Sequence, residues 1–409
     1  MQETEFYQQI IGLKSPWFVA DVKLDVTGQK VDVYVEHPSG TRFCCPDCQQ
    51  ELACYDHTSP CAWRHLNTMQ FTTMLHAAIP RVNCPEHGVR QAQVPWADGR
   101  SRFTLLFERF SIDVLRMTQN VKGAQSIRKT GWEQTWNILQ RAVSRGKARK
   151  QELPMPRIGI DEKSFAKGQS YVTLLYDLDR GTVEAIAEGN DTEAGNACFS
   201  SLSAKQIASV EAIAMDMSAA FVKSAKATIP LAEEKIVHDR FHVMKLATEA
   251  VGKVRRIESK ILLKDGDGRL TGTRFLWLTS QENLTEKQQC RFDLAYNQQL
   301  ETGKAWAYRE LLRELWDQPT AASATAWFND WYRRVIHTTL NPLKKVARTI
   351  RERLANVVSY CTHGITNAVA EGINSKIQSI KRRVGGYRNR ESYKTAIFFY
   401  CGGLDLYPH

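Results

Sequence analysis

The sequence has 409 residues, 43% of them hydrophobic, 10% aromatic and 24% charged, with a formal net charge of +11. Length and composition support two to four domains around a sizeable core and exclude a disordered or collagen-like chain. No apolar run approaches the roughly 18 residues of a membrane helix, and the acidic start MQETEFYQQIIGLKS is unlike a signal peptide, so a cytoplasmic protein with reduced or metal-bound cysteines is expected.

In chain order, residues 1–98 alternate short β-type runs such as VDVYVEH and FTTMLHAAIP with turn residues, and they hold six of the ten cysteines. Cys45-x-x-Cys48 and Cys84-x-x-His87 form two knuckles, CPDC and CPEH. Two-residue spacers let a tight turn present both ligands of a pair, and three thiolates with one imidazole suit tetrahedral zinc. The pattern predicts a zinc ribbon whose metal is structural, because protein ligands fill all four positions. Cys44, one register off the knuckle, ranks below these four as a ligand.

Residues 101–150, nearly all of a candidate domain over 99–150, carry 11 Lys/Arg against 3 Asp/Glu. Phe103, Phe107, Phe110, Val114 and Leu115 mark one helical stripe; Val121, Ala124 and Ile127 a second; Trp132, Trp136, Leu139 and Val143 a third. Thr130 and Glu133 have capping-box spacing at the third helix. These features predict a helix-turn-helix domain, with Gln134 and Asn137 available to base edges and Arg141 and Arg145 to phosphates.

After the linker RGKARKQELPMP, RIGIDE, YVTLLYDL, TVEAIAE, VEAIAMD and KIVHD predict five strands over 151–242, with helices after Asn190 and Ser218. Residues 243–360 are almost wholly helical, and 361–409 contain a helix expected over Thr362–Arg383 that buries Val369, Ile373, Ile377 and Ile380. Residues 341–394 carry 12 Lys/Arg against 3 Asp/Glu, a second basic segment that points to a polyanion. Asp161 and Asp216 follow apolar strand runs, which would set two carboxylates on one sheet edge. Glu371 sits beside the buried stripe of the late helix, flanked by Asn367 and Asn374. The DGDG run at 265–268 has too few oxygen ligands for a calcium loop and reads as a turn. His238 and His242 have no third partner for a second zinc.

CPDC, WRHL, RVNCPEHG, GIDEKSF, MDMS, HDRFH and the string SYCTHGITNAVAEGINSKIQSIKRRVGGYRNRESYKTAIFF together resemble the DDE transposases of the bacterial ISL-three insertion-sequence family, over nearly the whole chain. The resemblance implies a multidomain α+β protein: zinc ribbon, helix-turn-helix, and a ribonuclease-H-like catalytic domain interrupted by an all-helical insertion. It implies a magnesium (or manganese) site of Asp161, Asp216 and Glu371, with Asp239 and His242 as an Asp-x-x-His element. The partners implied are the element's terminal inverted repeats and target DNA, bound by a homodimer or higher oligomer in the nucleoid. Lys381, Arg382 and Arg383, three turns beyond Glu371, would hold phosphates; the position seven residues after the glutamate is Gln378, which receives no role. Competing readings are a non-catalytic DNA-binding repressor and a junction-resolving nuclease without strand transfer.

Overall fold

The computed structural model describes residues 2–99, 101–166, 170–279, 281–296 and 300–408. The chain divides into two compact units: residues 1–150 with 382–386 and 404–409, and residues 151–381 with 387–403.

In the first unit, helix α1 (Glu3–Ile11) precedes eight strands: β1 (Phe18–Asp25), β2 (Lys30–Glu36), β3 (Arg42–Cys44), β4 (Glu51–His57), β5 (Cys61–Arg64), β6 (Thr72–Ala77), β7 (Pro80–Cys84) and β8 (Gly88–Gln91). They form two four-stranded sheets, β1-β2-β6-β5 and β3-β4-β7-β8. The period-2 alternation of KVDVYVE turns Val31, Val33 and Val35 into the core, where Trp17 and Trp63 both meet Trp96 edge-on.

Three helices follow, α2 (Leu105–Thr118), α3 (Val121–Arg128) and α4 (Trp132–Ala148), each packed on the other two. Gln119 and Lys129, both left-handed, end the first two, and Asn120 caps α3 through its side chain. Most of the expected stripe is buried, but Phe110, Ile127 and Trp132 are not: they are 45%, 61% and 50% exposed. Ile112 and Ile138 take core positions instead, because the buried stripes are rotated from the expected ones, while Trp132 stacks outside on Trp136. The cap of α4 also shifts by one residue. Gly131 is the N-cap, its N–H donating to Gln134 Oε1 at 2.9 Å, while the Thr130 hydroxyl is taken by Thr135.

The second unit contains all five expected strands: β9 (Arg157–Ala166), β10 (Ser170–Asp177), β11 (Thr182–Glu188), β12 (Ala212–Met215) and β13 (Ile236–His238). Their order is β11-β10-β9-β12-β13; the first three are antiparallel, and β12 runs parallel to both β9 and β13. Helices α5 (Thr192–Ser200) and α6 (Ala204–Ser209) lead to β12, and α7 (Ala219–Thr228) and α8 (Ala232–Lys235) to β13. AIAM in β12 is buried throughout, as expected of a parallel strand covered on both faces.

Beyond β13 come α9 (Arg240–Lys264), α10 (Arg274–Leu278), α11 (Glu286–Tyr296), α12 (Glu301–Leu312), α13 (Ala321–Ile336), α14 (Asn341–Glu352), α15 (Leu354–Val358) and α16 (Tyr360–His363). They share a core of their own that includes Trp277, Trp306, Phe328 and Trp331. The helix expected from Thr362 begins only at Ala368, as α17 (Ala368–Arg383), because Gly364 adopts φ +62° and ends α16. Val369 is exposed; Ala370, Ile373, Asn374, Ile377 and Ile380 are the residues α17 buries. Helix α18 (Arg390–Cys401) packs near β11.

Candidate functional site

Two clusters of chemically capable side chains emerge, one in each unit. In the first, Cys45, Cys48, Cys84 and His87 bring four ligand atoms within 4.8 Å of one another, the one such cluster among the described residues. Cys45 precedes a tight turn in which Gln49 donates back to its carbonyl at 2.9 Å, and Cys84 closes β7 just before the turn into β8. Cys48 Sγ lies 3.6 Å from Cys84 Sγ, and His87 Nδ1 lies 3.5 Å from Cys84 Sγ and 4.0 Å from Cys45 Sγ. Tetrahedral zinc at its usual bond lengths sets sulfur atoms about 3.8 Å apart and sulfur about 3.6 Å from nitrogen, so this donor set fits structural zinc. The backbone N–H of Cys48 helps hold the Cys45 thiol below its ordinary value, favouring the thiolate that a metal requires.

The second cluster lies where the β9–β12 ladder ends, midway along β9 and just beyond the carboxyl ends of β12 and β13. The β9–β12 ladder ends at Ile160 opposite Met215, so Asp161 and Asp216 are the next residues on neighbouring strands. Contrary to the sequence expectation, Asp161 does not end its strand. β9 continues to Ala166 because β10 pairs with it there, and only the ladder to β12 stops. Asp161 Oδ1 accepts from Glu162 N at 2.8 Å, and Asp216 Oδ1 from Ser218 N at 2.9 Å. Burial pushes the Asp161 carboxyl up to about 6, with the Asp216 charge acting the same way and His242 opposing both.

Asp239 follows β13 and caps α9, its Oδ1 accepting from Phe241 N at 3.1 Å; its buried Oδ2 faces His242 Nδ1 at 3.3 Å without a hydrogen bond. That contact, with the nearby Asp216 and Asp161, raises the His242 pKa. Glu371 is exposed on the first turn of α17, and its carboxyl is pushed up by partial burial and by Asp239. One turn further along, Asn374 Nδ2 donates to Asp161 Oδ2 at 2.8 Å, and Asn374 Oδ1 accepts from the fully buried Tyr176 hydroxyl at 2.9 Å. Sequence reasoning noted Asn374 only as a polar neighbour of a buried stripe and missed Tyr176. The available signal was a tyrosine next to the buried Leu174 and Leu175 of the run YVTLLYDL, whose hydroxyl needs a partner.

The residues expected to meet DNA divide. Gln134 and Asn137 are exposed on α4, although Gln134 is also the cap partner of Gly131. Arg141 and Arg145 do not lie on a free face. Both pair with Glu108, a fully buried carboxylate on α2, and Arg145 also reaches Asp98 and the Leu406 carbonyl, leaving its side chain 8% exposed. A buried carboxylate demands partners and takes them from the nearest helix. Lys381 is half-buried in the second unit and donates to the Ser164 carbonyl at 3.0 Å, whereas Arg382 and Arg383 belong to the first unit and are exposed. The DGDG run is a turn in which Asp267 is held by Arg269. No described helix is long and apolar enough to cross a membrane.

These features have counterparts in known proteins. Residues 158–397 match the ISL3-type family model described as transposase, and residues 41–87 match one described as the zinc-finger of transposase IS204/IS1001/IS1096/IS1165. Among relatives, the transposase for insertion sequence element IS1001 of Bordetella parapertussis is 28% identical over 373 residues, 90% of each chain. The transposase for insertion sequence element IS1557 of Mycobacterium tuberculosis is 23% identical over 421 aligned residues, 96% of this chain and 94% of the relative. With the family match spanning more than half the sequence, the chain belongs to the ISL3 family of transposases.

Proposed function

We propose that this transposase binds the terminal inverted repeats of its element and catalyses DNA strand cleavage and strand transfer with Asp161, Asp216 and Glu371 as the DDE triad of a ribonuclease-H-like domain. The observation that carries this reading is the meeting of Asp161 and Asp216 at the end of one ladder, with the Glu371 helix tied to the same carboxylate through Asn374. Asp239 and His242 complete that edge, and an all-oxygen triad suits a hard divalent cation. Magnesium or manganese held there would supply electrophilic stabilisation of phosphate oxygens. The residues' own contributions are separable: Asp161 and Asp216 fix a negative edge, Asn374 orients one carboxylate, and the Asp239–His242 pair leaves a buried oxygen facing a titratable ring. Strand order β11-β10-β9-β12-β13 supports the ribonuclease-H-like assignment. For end recognition, the zinc-ribbon match and the three-helix module support a role for residues 1–150, with Gln134 and Asn137 as candidate contacts and Arg141 and Arg145 engaged by Glu108.

The test is cleavage and joining of a labelled element end by Asp161→Ala, Asp216→Ala and Glu371→Ala proteins, with DNA binding measured in parallel. The expected result is loss of both reactions in all three with binding retained. Cleavage persisting in Glu371→Ala would remove that residue from the triad, and persistence in all three would leave a DNA-binding repressor.

A further inference from the structure

A strongly basic surface lies away from the acidic edge, on helices that the sequence marked only as an insertion. Between Arg240 and Arg274 the chain has nine Lys/Arg against four Asp/Glu. Much of that charge lies on one ridge of α9. Three grooves of about 270, 360 and 450 Å³ flank the ridge and share its residues, Arg255 and Arg256 lining two of them and Lys253 another two. Arg274 of α10 lines the first groove, Lys260 the second, and Lys345 of α14 the third.

The charge there is uncompensated. None of these six residues forms an ion pair among the described residues. Glu258, the acid nearest them in sequence, is turned away: its carboxylate accepts from the backbone N–H groups of Glu301 and Thr302, both at 2.8 Å, capping the start of α12. Glu249 is the one acidic side chain lining the grooves. The Arg255 Nε is buried without a partner, and burial together with the neighbouring Arg256 and Arg274 charges lowers its pKa. Like charges held this close, with an unmet donor among them, are costly unless an anion joins them.

We propose that the α9 ridge, through Lys253, Arg255, Arg256, Lys260, Arg274 and Lys345, grips the phosphodiester backbone of duplex DNA beside the cleavage site. The inference rests on the DNA-cleaving reading above. Spacing supports it, since α9 starts at the acidic edge with His242 and reaches Arg256 fourteen residues later. At about 1.5 Å per residue that is about 21 Å, or about six base pairs of duplex at about 3.4 Å each. One rigid helix would thus hold the DNA a fixed half-turn or so from the carboxylates.

The experiment uses the full chain and a fluorescent 30-base-pair duplex of arbitrary sequence, with binding measured from low to high salt. Lys253 and Arg256 are exposed, so K253Q/R256Q should retain the fold, checked by thermal melting. Removing two phosphate contacts should lower the slope of log affinity against log salt by about 1.8. As a control, R333Q/R334Q removes two exposed charges from α13 that pair with Asp330 and should leave the slope unchanged. An unchanged slope in K253Q/R256Q, or an equal drop in the control, overturns the proposal. The catalytic reading is tested separately in the same preparations by cleavage with Asp161→Asn; the slope does not depend on catalysis, so either reading can fail alone.

Discussion

Asn374 Nδ2 donates to Asp161 Oδ2 at 2.8 Å, joining α17 to the central strand across 213 positions of sequence. The Tyr176 hydroxyl, donating to the other end of the same amide, fixes which atom faces the carboxylate. Groups that orient a metal-binding carboxylate typically change affinity or activity by roughly 10- to 100-fold when removed. Asn374→Ala should therefore weaken manganese binding by about that factor, and Tyr176→Phe by less, with melting temperatures reported beside both. Calorimetric titration checks this; wild-type manganese affinity in Asn374→Ala would make the contact a packing feature only.

The Glu108 cluster should behave as structure. Replacing a fully buried carboxylate that holds two arginines strands their charges, so Glu108→Gln should destabilise the protein by about 3 kcal/mol. Arg141→Gln, by contrast, should leave the salt slope of DNA binding unchanged, because that guanidinium is already engaged. A slope lower by about 0.9 in Arg141→Gln would restore it to the DNA-facing set.

Zinc should be bound at about one per chain, with its loss coupled to unfolding of the N-terminal sheets. Cys48→Ser and Cys84→Ser are expected to lose the metal, and chelation of the wild type should abolish the cooperative melt of residues 1–98. Full zinc content in either variant, measured by metal analysis, would exclude that cysteine as a ligand.

Acid should weaken the first unit partly through His65. This ring is buried, pairs with Thr104 at the cap of α2, and burial pulls its pKa down to about 4, with Arg64 adding to the shift. The unfolded chain therefore takes up this proton first. Stability from the group is full above its ordinary value of 6.5 and falls as pH drops towards about 4, by on the order of 3 kcal/mol. Denaturant titrations across that range should show a shallower pH dependence in His65→Gln than in the wild type; identical curves would assign the acid sensitivity to other groups.

The sequence by itself determined the elements whose cause is local. Two CxxC-type knuckles specify a metal cluster because the spacer sets the turn. Continuous apolar runs specify RIGIDE through KIVHD as strands because period and length suffice, and the family was legible in short motifs. Tertiary structure decided what depends on partners far along the chain. Arg141 and Arg145 read as solvent-facing from helical periodicity, yet Glu108, 33 and 37 positions away, draws them inward. The extension of β9 past Asp161 depended on pairing with β10, and the late start of α17 on a left-handed glycine. The Tyr176–Asn374–Asp161 relay and the basic ridge of α9 were both hidden for the same reason. Hydrogen-bond complementarity and uncompensated charge are properties of neighbours in space, and a one-dimensional pattern records only neighbours in sequence.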